Sequence, residues 1–227
     1  MRAPVAVALD APDATTAQRW ADAVAPHVQV VKVGLELFCR TGPDGVAGFR
    51  PEGVELFLDL KLHDIPNTVA GAARAVAPLA PRYLTVHASG GADMVRAAVE
   101  AAPDVHVAAV TVLTSMSPAV LDAVGLAGPP LDAVRRLAAL AVGAGARALV
   151  CSPQEVAAVR AEVGPGTVLI TPGVRPSGAD AQDQARTATP EQALADGADL
   201  LVVGRPITGA ADPGRAAEQL AASLSRR

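Results

Sequence analysis

Eight short, β-branched apolar runs alternate with alanine-rich stretches of helical spacing along 227 residues. The first run ends in Asp10-Ala11-Pro12 rather than in a glycine-rich turn. Together these observations predict an α/β fold, a (β/α)8 TIM barrel formed as a single domain over residues 1–227. The competing architecture, an open doubly wound sheet, usually carries a glycine-rich turn after its first strand. Uninterrupted apolar runs suit strands buried on both faces of a parallel sheet. In chain order they fall at 5–9, 28–33, 54–60, 83–86, 105–113, 148–151, 168–170 and 200–203. The helical stretches are 15–24, 68–79, 92–101, 131–142, 153–162, 190–195 and 214–224. Asp13 precedes the first helix. Ser152-Pro153 precedes the helix after strand six, and Thr189-Pro190 with Glu191 the helix after strand seven. A side-chain acceptor followed by proline is a helix-start signal. The longest polar stretch, 174–189, follows strand seven. Such a loop is either a surface insertion or functional, and its place favours function, because strands seven and eight commonly frame the phosphate site of this fold.

Composition narrows the classes. Hydrophobic residues at 51% and charged residues at 19% exclude a disordered chain. No apolar run approaches the ~18 residues of a membrane span. The start, Met1-Arg2-Ala3-Pro4, leads straight into a strand and does not read as a signal peptide. Two cysteines, Cys39 and Cys151, make no disulfide framework, so a reducing cytoplasm is expected. A net charge of −4 and 2% aromatic content leave little with which to hold nucleic acid.

The cations are unevenly chosen. Of 19 lysines and arginines only Lys32 and Lys61 are lysine, and the other 17 are arginine. Arginine keeps its proton, whereas lysine can hand one over. In a barrel of this kind chemistry sits at the C-terminal ends of the strands. Those ends carry Asp10, Lys32, Asp59 with Lys61, His87, Thr114, Ser152, Arg175 and Arg205. Both lysines are among them, which compositional drift would not produce.

The densest cluster is Asp59-Leu60-Lys61-Leu62-His63-Asp64-Ile65-Pro66-Asn67-Thr68. Residues i and i+2 share a strand face, so Asp59 and Lys61 point together into the barrel mouth. Asp64 follows as the strand breaks, and Pro66 opens a helix. The bland reading is a salt bridge closing the barrel top. The second carboxylate and Lys32 favour a pre-charged site. A second cluster is cationic: Thr171-Pro172-Gly173-Val174-Arg175 after strand seven and Val203-Gly204-Arg205-Pro206-Ile207 after strand eight. Gly204 allows close backbone approach, the following helix start offers N–H groups, and two guanidiniums suit a phosphate dianion. Gln184 is placed to close over that phosphate from the long loop. His87 reads as a packing residue and Cys151 as a buried thiol. The histidines and cysteines have no metal-ligand spacing. Glu36 alone is a weak candidate for a metal.

These residues resemble the orotidine 5′-phosphate decarboxylase family nearly end to end. The motifs are Leu9-Asp10, VKVGLELF (31–38), FLDLKLHDIPNT (57–68), TVHASGG (85–91), VLTSM (112–116), TPGVRP (171–176), DQAR (183–186) and VVGRPI (202–207). DLKLHDIPNT is the most specific, while a bare Asp-x-Lys-x-x-Asp is shared with sugar-phosphate relatives. The resemblance implies decarboxylation of orotidine 5′-phosphate to UMP in pyrimidine biosynthesis, with no metal or organic cofactor. It implies Lys61 as the acid that protonates C6, flanked by Asp59 and Asp64, with Lys32 completing the charge network. Asp10 and Lys32 are then expected at the ribose, Thr114 near the base, and Arg175, Gln184, Gly204 and Arg205 near the phosphate. Asp64 and Thr68 are expected to reach into the neighbouring subunit's site, making a homodimer. The nearest rival is a Mg2+-dependent sugar-phosphate decarboxylase or aldolase of the same scaffold, using Glu36 and Asp59. A Schiff-base aldolase using Lys61 and an inactive nucleotide-binding dimer stand further off.

Overall fold

A computed structural model describes residues 2–126, 128–175 and 188–225. The elements run β1 (Ala3–Ala8), α1 (Ala14–Val24), β2 (Val28–Gly34), α2 (Leu35–Ala47), β3 (Glu55–Leu62), α3 (Pro66–Val76) and β4 (Tyr83–His87). They continue with α4 (Ala92–Ala101), β5 (His106–Val110), α5 (Pro118–Ala123), α6 (Pro130–Gly143), β6 (Ala148–Val150) and α7 (Val156–Val163). The last are β7 (Val168–Thr171), α8 (Pro190–Ala195), β8 (Leu200–Val203), α9 (Arg205–Thr208) and α10 (Pro213–Leu224). Each strand pairs parallel with the next, and β8 returns to β1 through Val5 opposite Leu201 and Val7 opposite Val203, closing the barrel.

Local chemistry sets the helix starts. Asp13 accepts from the Thr16 N–H at 2.7 Å and caps α1. Thr189 caps α8 ahead of Pro190, and Asp212 caps α10. The start expected at Ser152-Pro153 is not realised. There the Ser152 N–H donates to the Glu155 carboxylate at 3.0 Å, and α7 begins only at Val156. Strand five also ends earlier than its apolar run, at Val110. Two of the described helices have no counterpart in the sequence reading, α2 and α5. In α2 the period is hidden because Gly42, with φ 64°, and Pro43 kink it into two short pieces.

The barrel interior takes one side chain from each strand: Ala6, Val30, Phe57, Tyr83, Ala108, Ala148, Ile170 and Leu200. Small alanines on β1, β5 and β6 make room for Phe57 and Tyr83, which meet edge-on at 5.7 Å between ring centres. Above this plug the inward positions two residues further on face the C-terminal mouth. On β2, β3 and β4 those positions are Lys32, Asp59 and Thr85. On β5, β6 and β8 they are Val110, Val150 and Val202. The helices pack on the outer faces of the strands over a second, larger core. Among the described residues no helix is long and apolar enough to cross a membrane.

One irregularity positions the site. Phe57 pairs with Tyr83 and Leu58 with Leu84, but Leu62 pairs with Val86. The stretch between Leu58 and Leu62 therefore bulges from the ladder, as strands often do beside active sites. Within the bulge Lys61 takes φ 49°, a left-handed conformation costly for a side chain other than glycine.

Candidate active site

A cavity of about 460 Å3 opens at the C-terminal mouth. That volume suits a ligand of nucleotide size. One wall is charged. The Lys61 ammonium lies 2.7 Å from Asp59 Oδ1, and the Lys32 ammonium lies 3.1 Å from Asp59 Oδ2 and 3.7 Å from Asp10 Oδ1. Asp59 thus bridges the only two lysines of the chain. Its side chain is 13% exposed and that of Lys32 7%, against 29% for Lys61, so the accessible member is Lys61. Burial by itself raises the Asp59 pKa, but the charges of Lys32 and Lys61 outweigh it and hold the carboxyl below its ordinary value of 3.8.

Thr85, absent from the sequence candidates, does not line the cavity but is hydrogen-bonded to two residues of this wall. Its hydroxyl accepts from the Lys61 backbone N–H at 2.8 Å and donates to Asp59 Oδ1 at 3.0 Å. A threonine in the run YLTVH reads as an ordinary strand former. The one signal was its inward phase, two residues beyond Tyr83.

Another part of the lining is apolar, made by Val110, Val112, Val150 and Val202, and Thr114 lines the cavity as well. Cys151 lines it too, but burial and the nearby Glu155 charge push its thiol up to about 12, so it is no nucleophile. Ser152 is fully buried and does not line the cavity.

The third side carries Pro172, Gly173, Arg175, Gly204 and Arg205. Arg175 is buried, and its backbone N–H donates to Ala188 O at 3.0 Å. Among the described residues a Cβ on Gly204 would meet Ala8 Cβ alone, at an ordinary contact distance of 3.6 Å. The helix start beyond it offers fewer N–H groups than expected. Pro206 has none, and those of Ile207 and Thr208 donate to Gly204 O. At most the Gly204 and Arg205 N–H groups serve a ligand.

Asp10, Lys32, Asp59, Lys61, Thr114, Arg175, Gly204 and Arg205 therefore meet around one cavity. Asp64 and Thr68 do not. Both are exposed, neither lines the cavity, and no ion pair joins Asp64 to Lys61 within the chain. Asp64 instead accepts from the Ile65 N–H at 2.6 Å, with Ile65 66% exposed beside it. Gln184 and the DQAR motif lie outside the described residues. His87 is half-buried and stacks against His63 at 5.4 Å. Burial, then the charges of His63 and Lys61, lower its pKa, which fits packing. Glu36 forms a salt bridge with Arg40 at 3.1 Å, and among the described residues no three metal-ligating side chains gather.

Comparison with known proteins gives a consistent result. The family model for "Orotidine 5'-phosphate decarboxylase / HUMPS family" matches residues 3–220. An orotidine 5′-phosphate decarboxylase of Thermobifida fusca is 71% identical over 227 residues, covering 100% of this chain and 97% of that protein. One from Frankia casuarinae is 65% identical, covering 99% of this chain and 88% of that protein. Among solved structures, orotidine 5′-phosphate decarboxylase from Lactobacillus acidophilus superposes with a TM-score of 0.86 at 36% identity, covering 98% of this chain and 99% of that one.

Proposed function

The chain belongs to the orotidine 5′-phosphate decarboxylase / HUMPS family and converts orotidine 5′-phosphate to UMP and CO2, and we propose that Lys61 is the acid that completes this reaction at C6 of the pyrimidine. The observation that carries the reading is the buried Lys32–Asp59–Lys61 chain, whose accessible end is the Lys61 ammonium. Loss of CO2 from C6 leaves an electron pair on a vinyl carbon with no adjacent carbonyl to delocalise it. An ammonium fixed beside that carbon stabilises the charge as it develops and then donates its proton. Arginine would hold the proton too tightly for the second step.

Asp59 has two effects. It holds Lys61 in place, and it repels a substrate carboxylate brought near it. At 4 Å and an effective dielectric of 20 that repulsion is about 4 kcal/mol, or roughly three powers of ten in rate. Decarboxylations this slow need more, so most of the acceleration comes from Lys61 and the developing charge rather than from ground-state stress.

The remaining residues bind. Asp10 and Lys32 hold the ribose, and Thr114 lies by the base. Arg175, Arg205, Gly204 and Gln184 hold the phosphate, far from the reacting carbon. Grip at that distance holds the substrate without touching the reacting carbon, so its loss should be read in KM before kcat. Asp64 and Thr68 complete the site of a second subunit in a cytoplasmic homodimer. Their exposure beside the apolar Ile65 supports that reading. No metal or organic cofactor takes part.

The test is consumption of orotidine 5′-phosphate by purified protein, with and without EDTA, followed by ultraviolet absorbance. Equal turnover to UMP in both is expected. Activity abolished by EDTA would overturn the metal-free reading and favour sugar-phosphate chemistry with Mg2+.

A further inference from the structure

We propose that Thr85 is a positioning residue for the decarboxylation, setting both the backbone and the ammonium of Lys61 through one hydroxyl. The inference rests on the reading of Lys61 as the acid. Its basis is a closed circuit of hydrogen bonds. The Lys61 N–H donates to Thr85 Oγ1 at 2.8 Å, Thr85 Oγ1 donates to Asp59 Oδ1 at 3.0 Å, and the Lys61 ammonium donates back to Asp59 Oδ1 at 2.7 Å. Lys61 is thereby tied at both ends, backbone and head, to one buried threonine and one carboxylate.

The circuit is needed because β3 leaves the ladder here. Between Leu58 and Leu62 no regular β3–β4 pairing holds the bulge. Lys61 sits at φ 49°, a conformation that persists only where its surroundings determine it. Its N–H cannot find a ladder carbonyl in that geometry, and the Thr85 hydroxyl takes the carbonyl's place. Thr85 is 0% exposed, so bulk water does not reach the hydroxyl. Asp59 already faces Lys32 and Lys61, and the Thr85 hydroxyl fixes the rotation of its carboxylate so that one oxygen serves each lysine. A hydroxyl is suited to the task because it accepts and donates at once. Valine, of the same shape, does neither.

The experiment compares Thr85→Val and Thr85→Ser with the full-length protein, reading kcat, KM and the pH profile of kcat. In Thr85→Val kcat should fall roughly tenfold to a hundredfold, as expected for losing hydrogen bonds to a charged group in a buried site. KM should change by less than about threefold, because Thr85 does not line the cavity. The acid limb of kcat should move to higher pH, since ionised Asp59 loses a donor. Thr85→Ser should return kcat to within about threefold of the parent, because it restores the hydroxyl. A merely structural role would lower the melting temperature and leave the pH limb where it was. Should Thr85→Val fail to fold, Thr85→Ala against Thr85→Ser carries the same comparison. Parental kcat in the folded Val or Ala variant overturns the proposal, as does Ser failing to rescue. If Lys61→Ala is inactive while Thr85→Val is fully active, only the positioning role falls. If Lys61→Ala itself turns over normally, the reading of Lys61 falls.

Discussion

The two charged sides of the mouth are built differently. On the β2–β4 side Lys32 and Asp59 lie within strands, Lys61 in a bulge of β3, and each lysine contacts the same carboxylate. On the β7–β8 side the cations come after the strands end: Arg175 in the segment beyond Gly173, Arg205 at the start of the four-residue α9. A group that must meet one carbon atom is thus carried by the sheet, and groups that grip a phosphate are carried by connections. Misplacing a proton donor by an ångström costs orders of magnitude in rate, whereas an anion can be held from several directions. The rigid side should govern kcat and the connecting side should govern binding.

Removing Lys61 should have the largest effect. Lys61→Ala takes away both the proton and the charge that stabilises the carbanion, so kcat should fall by on the order of 10⁴-fold or more, with UMP still bound. Near-normal turnover would break the comparison at its root. The same variant probes the dimer. Mixed with an inactive Asp64→Ala protein under conditions of subunit exchange, it should regain about a quarter of the parental activity, because in a two-fold dimer one site in each mixed pair is intact. No recovery would count against Asp64 acting across the interface.

Arg205→Ala should act on the other side and more weakly. Losing a charge-assisted contact should raise KM for orotidine 5′-phosphate roughly tenfold to a hundredfold. UMP affinity should suffer while uridine affinity does not. Equal losses for the two ligands would place Arg205 away from the phosphate.

The same contrast decides what could be read from the sequence. The strands are legible because burial on both faces leaves unbroken apolar runs, and Asp59 with Lys61 is legible because i and i+2 share a face. The contact of Lys32 with Asp59 depends on register across β2 and β3, where Gly34 pairs with Asp59, and spacing along the chain does not encode that. Thr85 was missed for the same reason, since its partners are 24 and 26 positions away. α2 was missed because Gly42 and Pro43 interrupt its period. Ser152 misled because its backbone, not its side chain, makes the bond to Glu155.

The smallest expected effect separates the two sides by pH. Asp59 is held below 3.8 because Lys32 and Lys61 outweigh its burial. A depressed carboxyl contributes stability that is fully present above its unfolded value and is lost as pH falls through the lower folded one. Between pH 7 and 5 Asp59 should therefore keep its charge, and kcat should stay flat. On the β7–β8 side it is the ligand that titrates. A phosphate monoester takes up its second proton near pH ~6. KM should accordingly rise a few-fold on going from pH 7 to 5 while kcat holds. A kcat that falls in parallel with the rise in KM would mean that one titration reaches both sides, and the separation of chemistry from binding between sheet and connections would fail.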